Sequence, residues 1–422
     1  MLRIIFVSLL LLFYSIANSQ DTIVVMHYNL LNYAAPTAYC DETNNNISGK
    51  NSNLRIITDY IKPDILSVNE ISKLSSFYSQ ISDSVLNING SSDYLRAQYS
   101  NGSNSDIINM VYYNKNKLVL HSQERIITSI RDINLYKFYS KMQDFSGNDT
   151  VFFTCISAHL KAGSTTADAD ERGQMTLLLM NHLNTHTSGN YLVMGDFNLY
   201  TNTETAFQNL TNYSNSSIRF YDPINKMGSW SDNSNYAICH TQSTHSTSNN
   251  CAASGGLDDR FDFILTSYPV LAGLNGVSYI PNSYKAVGQD GLHLNKSLTN
   301  GTNNSAPQNI INALYNMSDH LPVVLKLKLD ANASDISEKP NDLFSINFFN
   351  SELTVFSNNS SFHNWNISIF NIAGQNLYAN NTCFSSQNQS ITISTKKFVS
   401  GIYFVKLNDN FGNLIVKKFF IY

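Results

Sequence analysis

The carboxylates Glu70, Asp196, Asp262 and Asp319, the imidazoles His159 and His320, and the amides Asn29 and Asn198 all stand at or beside apolar runs. Carboxylates offer oxygen ligands to hard cations. Imidazoles move protons near neutral pH. The most legible stretch is YLVMGDFNLY, residues 191–200, where a short apolar run meets Gly195, Asp196, Phe197 and Asn198. On an extended backbone, residues two apart share a face. Asp196 and Asn198 could then bind a hydrated divalent metal, orient a water or hold a phosphate oxygen. An Asx turn closing the strand accounts for Gly-Asp-x-Asn equally well. Asp262 lies between Phe261 and Phe263, and a carboxylate among apolar neighbours must find a partner. Taken singly, Glu70 could be a surface charge, His159 a core histidine and Asp319-His320 a turn. Jointly they form a set of strand-end polar groups, which an active site on the rim of a sheet requires.

The elements that must position these groups alternate between strands and helices. Residues 22–31 (TIVVMHYNLL) read as a buried strand delivering Asn29, and 65–68 as one delivering Asn69 and Glu70. Residues 151–157 run into His159, 261–265 carry Asp262, and 321–329 follow Asp319-His320. Further strands are expected around 94–99, 109–113 and 117–121. Helices are expected over 53–60, 168–186 and 204–210. Arg172 on the second helix either contacts a flanking phosphate or belongs to a solvated face.

The chain has 422 residues, enough for one large domain and a small one. With 42% hydrophobic and 14% charged residues it is globular, and a net charge of -4 excludes a general basic footprint. Any phosphate binding is therefore local or metal-assisted. Arg3, the apolar run 4–13 and Ala17-Asn18-Ser19 have the layout of a secretory signal peptide over residues 1–19. The run is shorter than the roughly 20 residues a membrane span needs, so an exported chain without stable membrane insertion is expected. Of the 5 cysteines, Cys239 and Cys251 bracket a polar loop and are expected to pair. Cys155 is expected to be a buried free thiol.

The motifs HYNLLN (Asn29), PDILSVNEI (Glu70), SAHLKAG (His159), GDFN (Asp196, Asn198), RFDFIL (Asp262) and SDHLPVV (Asp319, His320) resemble, in order and spacing, those of the endonuclease/exonuclease/phosphatase superfamily. One tetrapeptide is weak evidence, whereas the ordered series is specific. The resemblance covers roughly residues 22–330. It implies a four-layered α/β/β/α sandwich: two mixed β-sheets face to face, with helices outside, over a catalytic domain at 20–330. Asn69 stands where the family more often has glutamine, and the loop around 228–256 is expanded relative to the family pattern.

The resemblance also implies roles. Glu70 and Asp319, with Asn29 beside them, would hold Mg2+, with Mn2+ or Ca2+ as alternatives. His320, oriented by Asp262, would activate the attacking water. Asp196 would orient the nucleophile or protonate the leaving group, while Asn198 and Asn29 grip the phosphate. His159 matches the second histidine of the deoxyribonuclease-like branch, and Arg172 and Lys161 could contact flanking phosphates. The implied activity is a phosphoric-ester hydrolase of nuclease type acting on DNA or RNA as a monomer. Phospholipid or sugar-phosphate hydrolysis and a catalytically idle surface-binding protein are the alternatives.

Residues 343–422, including NISIFNIAGQNLY and SGIYFVKL, resemble the C-terminal sorting domain of type IX secretion cargo. Period-2 patterning independently reads as a small all-β sandwich, preceded by a polar linker at 331–342. The resemblance implies the secretion machinery as a partner and a secreted or cell-surface location. An adhesive or carbohydrate-binding β-domain is the competing reading.

Overall fold

β-Branched and aromatic residues make Asp21–Tyr33 the long strand β1. Ile23, Val25, Met26, Tyr28 and Leu30 are all fully buried, because both faces of this strand are covered. The computed structural model describes residues 21–141, 150–186, 188–329, 344–349, 351–357, 361–384, 389–409 and 414–421. The expected leader at 1–19 and linker at 331–342 lie outside the described residues.

One sheet runs β11-β13-β1-β2-β4-β3, with β12 also on β13. Its other strands are β2 (Ile65–Ser72), β3 (Tyr94–Arg96), β4 (Ile107–Asn114), β11 (Val277–Tyr279), β12 (Lys285–Ala286) and β13 (Val323–Leu329). A second sheet runs β5-β6-β7-β8-β10-β9. It comprises β5 (Leu118–Ile126), β6 (Ile133–Ser140), β7 (Phe152–His159), β8 (Tyr191–Asp196), β9 (Phe220–Tyr221) and β10 (Asp262–Ser267). Each sheet holds one parallel pair, β1 with β2 and β7 with β8, among antiparallel neighbours.

The sequence alternation sets the layers. Phe153, Cys155, Leu192, Met194 and Ile264 face the first sheet in one core. Ile156, Ala158, Val193, Phe263 and Leu265 face outward into another. Period-2 side-chain geometry requires this division. Among the described residues of this unit the α-helices are α1 (Ile47–Ile61), α2 (Ser75–Gln80), α3 (Thr166–Leu183), α4 (Thr205–Asn212), α5 (Tyr268–Ala272) and α6 (Gln308–Met317). Leu54 and Ile57 of α1 and Ile310 and Leu314 of α6 pack on the first sheet, and α3 and α4 cover the second with Met175, Leu179, Phe207 and Leu210. The result is the expected four-layered α/β/β/α sandwich. α1 begins earlier than expected, where the Asn46 side chain accepts from Gly49 N–H at 2.8 Å.

The chain divides into two units, ending and beginning at Asn332 and Ala333. The second holds an antiparallel three-stranded sheet, β14 (Phe344–Phe349), β15 (Glu352–Ser357) and β18 (Ser390–Ser394). A four-stranded antiparallel sheet is built from β16 (Ser361–Asn371), β17 (Asn376–Phe384), β19 (Gly401–Asp409) and β20 (Leu414–Ile421). Leu353, Val355, Trp365, Ile367, Val405 and Phe419 form its core.

The disulfide is not the expected Cys239–Cys251. Cys40 bonds Cys251 across 211 residues, while Cys239 is a buried free thiol. Cys239 closes a 3-10 turn and points its sulfur at Tyr236 O. Cys251 instead lies on a loop whose Asn249 exchanges amide–carbonyl hydrogen bonds with Asn44, close to Cys40. Cys155 is a buried free thiol, as expected.

Candidate active site

The strand order of the second sheet brings three expected residues into one row. His159 ends β7 and Asp196 ends β8, and parallel pairing sets them side by side. β10 runs the other way, so its first residue, Asp262, pairs with Asp196. Gly195 allows this close approach, because a Cβ there would meet Ala158 O at 1.6 Å. In the first sheet Asn29 pairs with Asn69, and both strands then lose register. Glu70 sits in that irregularity with φ 59°, a conformation costly for a non-glycine residue and concentrated at functional sites.

Asn69 ties the sheets together. Its Oδ1 accepts from Asp196 N–H at 3.0 Å, and its NH2 donates to Asn109 Oδ1 at 2.7 Å. Asn29 donates to Glu70 Oε1 at 3.1 Å and Asp196 Oδ2 at 2.9 Å. Its own oxygen accepts from Leu31 N–H at 3.0 Å. The NH2 rather than the oxygen therefore faces the centre, which does not fit Asn29 as a metal ligand. Asn198 N–H donates to Asp196 Oδ1 at 3.0 Å, and Asn198 has φ 50°. GDFN is thus an Asx turn as well as part of the site, and Asn198 does not continue the strand face beside Asp196.

His320 Nδ1 lies 2.7 Å from Asp262 Oδ2. Nε2 is turned to the centre, 3.4 Å from Asn29 Nδ2 and 3.7 Å from Asp196 Oδ2. Burial alone would lower the His320 pKa, but Asp262 and Asp196 raise it well above 6.5. Burial would raise Asp262, yet His320 and His27 hold it well below the carboxylate range. Asp196 is pushed up to about 7, mainly by burial and despite the pull of His320. His159 is driven well below 6.5 by burial and by Arg131 and is therefore neutral. Its Nε2 lies 3.7 Å from Glu70 Oε1 and 3.5 Å from Asp196 Oδ2.

Arg172 is a correction. It is buried, donating to Glu204 Oε2 from Nε at 2.9 Å and Nη2 at 2.6 Å, and from Nη1 to Lys161 O and Gly163 O. It is neither a solvated charge nor free for phosphate, and it fixes the turn after His159. Lys161 is partly exposed, 2.7 Å from Asp168 Oδ1.

Several residues of the site escaped the sequence reading. Arg131 Nη1 lies 3.1 Å from both ring nitrogens of His159, with Nη2 donating to Leu160 O. Lys50, buried, donates to Leu30 O, Leu31 O and Met317 O, binding the end of β1 to the turn before Asp319. Burial pulls it down to about 7 against Asp319 and Glu70. His27 backs Asp262 at 3.5 Å. The 228–256 loop enters the site itself. Gln242 Nε2 lies 2.7 Å from His320 Nε2, and Ala253 N–H donates to Asp319 Oδ2 at 2.8 Å. Only His27, a histidine inside an otherwise apolar strand, carried a signal.

Residues 346–422 match the family model described as the secretion system C-terminal sorting domain. No curated protein matches the sequence. Among solved structures, the chain is similar to humanised TDP2 of D. rerio, with 14% identity over 72% of this chain and 98% of that one and a TM-score of 0.45. An endonuclease/exonuclease/phosphatase family protein from Bacteroides thetaiotaomicron shares 12% identity over 74% and 99%, with a TM-score of 0.44. The human Nocturnin catalytic domain shares 15% over 74% and 97%, with a TM-score of 0.44.

Proposed function

We propose that residues 21–329 form a metal-dependent phosphodiesterase acting on nucleic acid, DNA foremost, and that the sorting domain directs it through type IX secretion to the cell surface or beyond. The observation that carries this reading is the His320–Asp262 pair, whose free imidazole nitrogen faces Asn29 and Asp196. Glu70 and Asp196 join it through the amide of Asn29.

The donor set fits a hard cation. Ligand atoms of Glu70, His159 and Asp196 lie within 4.8 Å of one another. Asp319 Oδ1 is buried without a hydrogen-bond partner among the described residues. Glu70 and Asp319 would hold Mg2+, with Mn2+ or Ca2+ also compatible with oxygen donors. A cation bound there would polarise the phosphoryl oxygen and offset its charge.

The protein's own groups then divide the work. Asp262 accepts from His320 Nδ1–H; Asp262 and Asp196 alone favour the imidazolium, and the positive charge of a cation at Glu70 and Asp319 would oppose this, freeing the Nε2 lone pair for the attacking water. The Gln242 amide now occupies that lone pair and gives way to the water. As the proton arrives, Asp262 stabilises the imidazolium. Asp196, titrating near neutral pH, is suited to protonating the leaving oxygen. Neutral His159 and Arg131 would donate hydrogen bonds to phosphate oxygens, as would Asn198 once its amide leaves Leu160 O. Asn32, Lys73, Arg131 and Lys161 help line a groove of about 580 Å³ beside the centre. Asp106 lines it too and pairs with Lys73, and Lys161 pairs with Asp168, so an anionic strand would have to draw these lysines from their carboxylates. Trp230 and Trp365 are both buried, so neither serves as a membrane-dipping aromatic for a phospholipid substrate.

The test offers supercoiled plasmid, single-stranded DNA, RNA and sphingomyelin in parallel, with Mg2+ or chelator, to the native chain and Glu70→Gln. DNA cleavage that needs Mg2+ and is lost in Glu70→Gln supports the reading. Turnover of sphingomyelin alone, or of nothing, overturns it.

A further inference from the structure

A second group of metal-ligating side chains lies away from the catalytic centre. Asp196 ends β8, whereas this group adjoins the strand's opposite end, in a cleft of about 220 Å³ that Asn190 and Tyr191 also line. We propose that Glu124, His182 and His186 form a site for a divalent transition metal of the zinc class.

His182 is in the last turn of α3, and His186 follows four residues later. The chain continues to turn there, with Thr185 N–H donating to His182 O and His186 N–H to Leu183 O. Both imidazoles thereby face the same way, with centroids 4.8 Å apart. Glu124 reaches them from the edge strand β5. Ligand atoms of the three residues lie within 4.8 Å of one another.

Two details favour a shared cation over ordinary surface polarity. His182 Nε2 and Glu124 Oε2 approach to 3.2 Å. Even so, His182 Nε2 is a buried atom with no hydrogen-bond partner among the described residues. The two atoms lie side by side rather than in donor–acceptor alignment, as ligands aimed at a common third atom do. His186 Nδ1, 3.0 Å from His182 O, donates its N–H to that carbonyl. This leaves the Nε2 lone pair free, the arrangement by which ligating histidines have their tautomer fixed. Two imidazoles and a carboxylate with solvent on one side make a three-ligand site with open positions for water. His182 is 27% exposed and Glu124 51%, so an ion can enter. Bound there, it staples the end of α3 to edge strand β5.

The full chain, chelator-treated and held in excess Mg2+, is titrated with Zn2+ by calorimetry and with Co2+ by visible absorption. The variants are Glu124→Gln, His182→Ala/His186→Ala and, as a control at the catalytic centre, Glu70→Gln. One Zn2+ equivalent is expected to weaken at least about tenfold in the first two, with loss of the Co2+ band, while Glu70→Gln keeps both. On the unaltered chain, Zn2+ should shield His182 and His186 from diethyl pyrocarbonate, a readout independent of variant folding. Unchanged Zn2+ affinity in the double variant, a Co2+ band lost only in Glu70→Gln, or no shielding overturns the proposal.

Discussion

Replacing Asp262 by asparagine isolates the partner on which His320 depends. The carboxylate sits 2.7 Å from Nδ1, and both side chains are buried, so water cannot take its place. Asparagine either presents its NH2 to Nδ1, forcing the proton onto Nε2 and removing the lone pair, or presents a neutral oxygen that stabilises imidazolium poorly. Loss of such a carboxylate from a histidine base in other hydrolases costs on the order of 10⁴ in rate. We expect a fall in kcat/KM of about 10³–10⁴, or about 4–5.5 kcal/mol of transition-state stabilisation. Initial rates of plasmid nicking in Mg2+ measure it, with circular dichroism to verify folding. Because Asp262 acts through His320, adding Asp262→Asn to His320→Ala should cost little more. Retention of activity within about tenfold, or additive losses in the double variant, would refute the reasoning.

Three other outcomes follow from the same geometry. Arg172→Met should lower stability by about 3 kcal/mol, because it removes the cation from the partly buried Glu204, yet leave KM unchanged for the folded fraction; a raised KM at full stability would restore Arg172 to the phosphate site. Cys251→Ser should cost about 2–4 kcal/mol in denaturant melts, and a non-reducing peptide map should join Cys40 to Cys251; a Cys239–Cys251 peptide would contradict the fold. In chelator, stability should vary with pH in two directions. The depressed Asp262 pKa contributes stability above 3.8 that is lost as pH falls, whereas the raised Asp196 and His320 values contribute stability lost as pH rises from 3.8 through about 7 and above 6.5. Because the depressed His159 and Lys50 values raise stability with pH over part of the same range, the test is a difference between chains: Asp196→Asn should remove the downward contribution of Asp196 to the midpoint-versus-pH slope between about pH 4 and 7. An equal slope in the variant would remove Asp196 as its cause.

Much of the fold was legible because buried strands announce themselves by composition. The runs before Asn29, Glu70, His159 and Asp196 became β1, β2, β7 and β8. β6, INLYKFYS, and α6, QNIINALYNM, were missed because short mixed patterns do not separate strand, helix and loop. Residues at strand ends were visible because polar groups interrupt apolar runs. Arg131, Lys50 and Gln242 were not, since loops and a helix bring them in from places without local periodicity. Arg172 was misread because its partner, Glu204, is 32 residues away. The cysteine pairing failed for the same reason: proximity in sequence favoured Cys239, while the loops joined by Asn44 and Asn249 bring Cys40 to Cys251.

The most direct measurement is the rate of Mg2+-dependent plasmid hydrolysis by His320→Ala against the unaltered chain, both verified as folded. The loss of the proton-accepting nitrogen should reduce the rate to near background at neutral pH. Full activity in that variant would contradict the proposal that His320, held by Asp262, activates the attacking water.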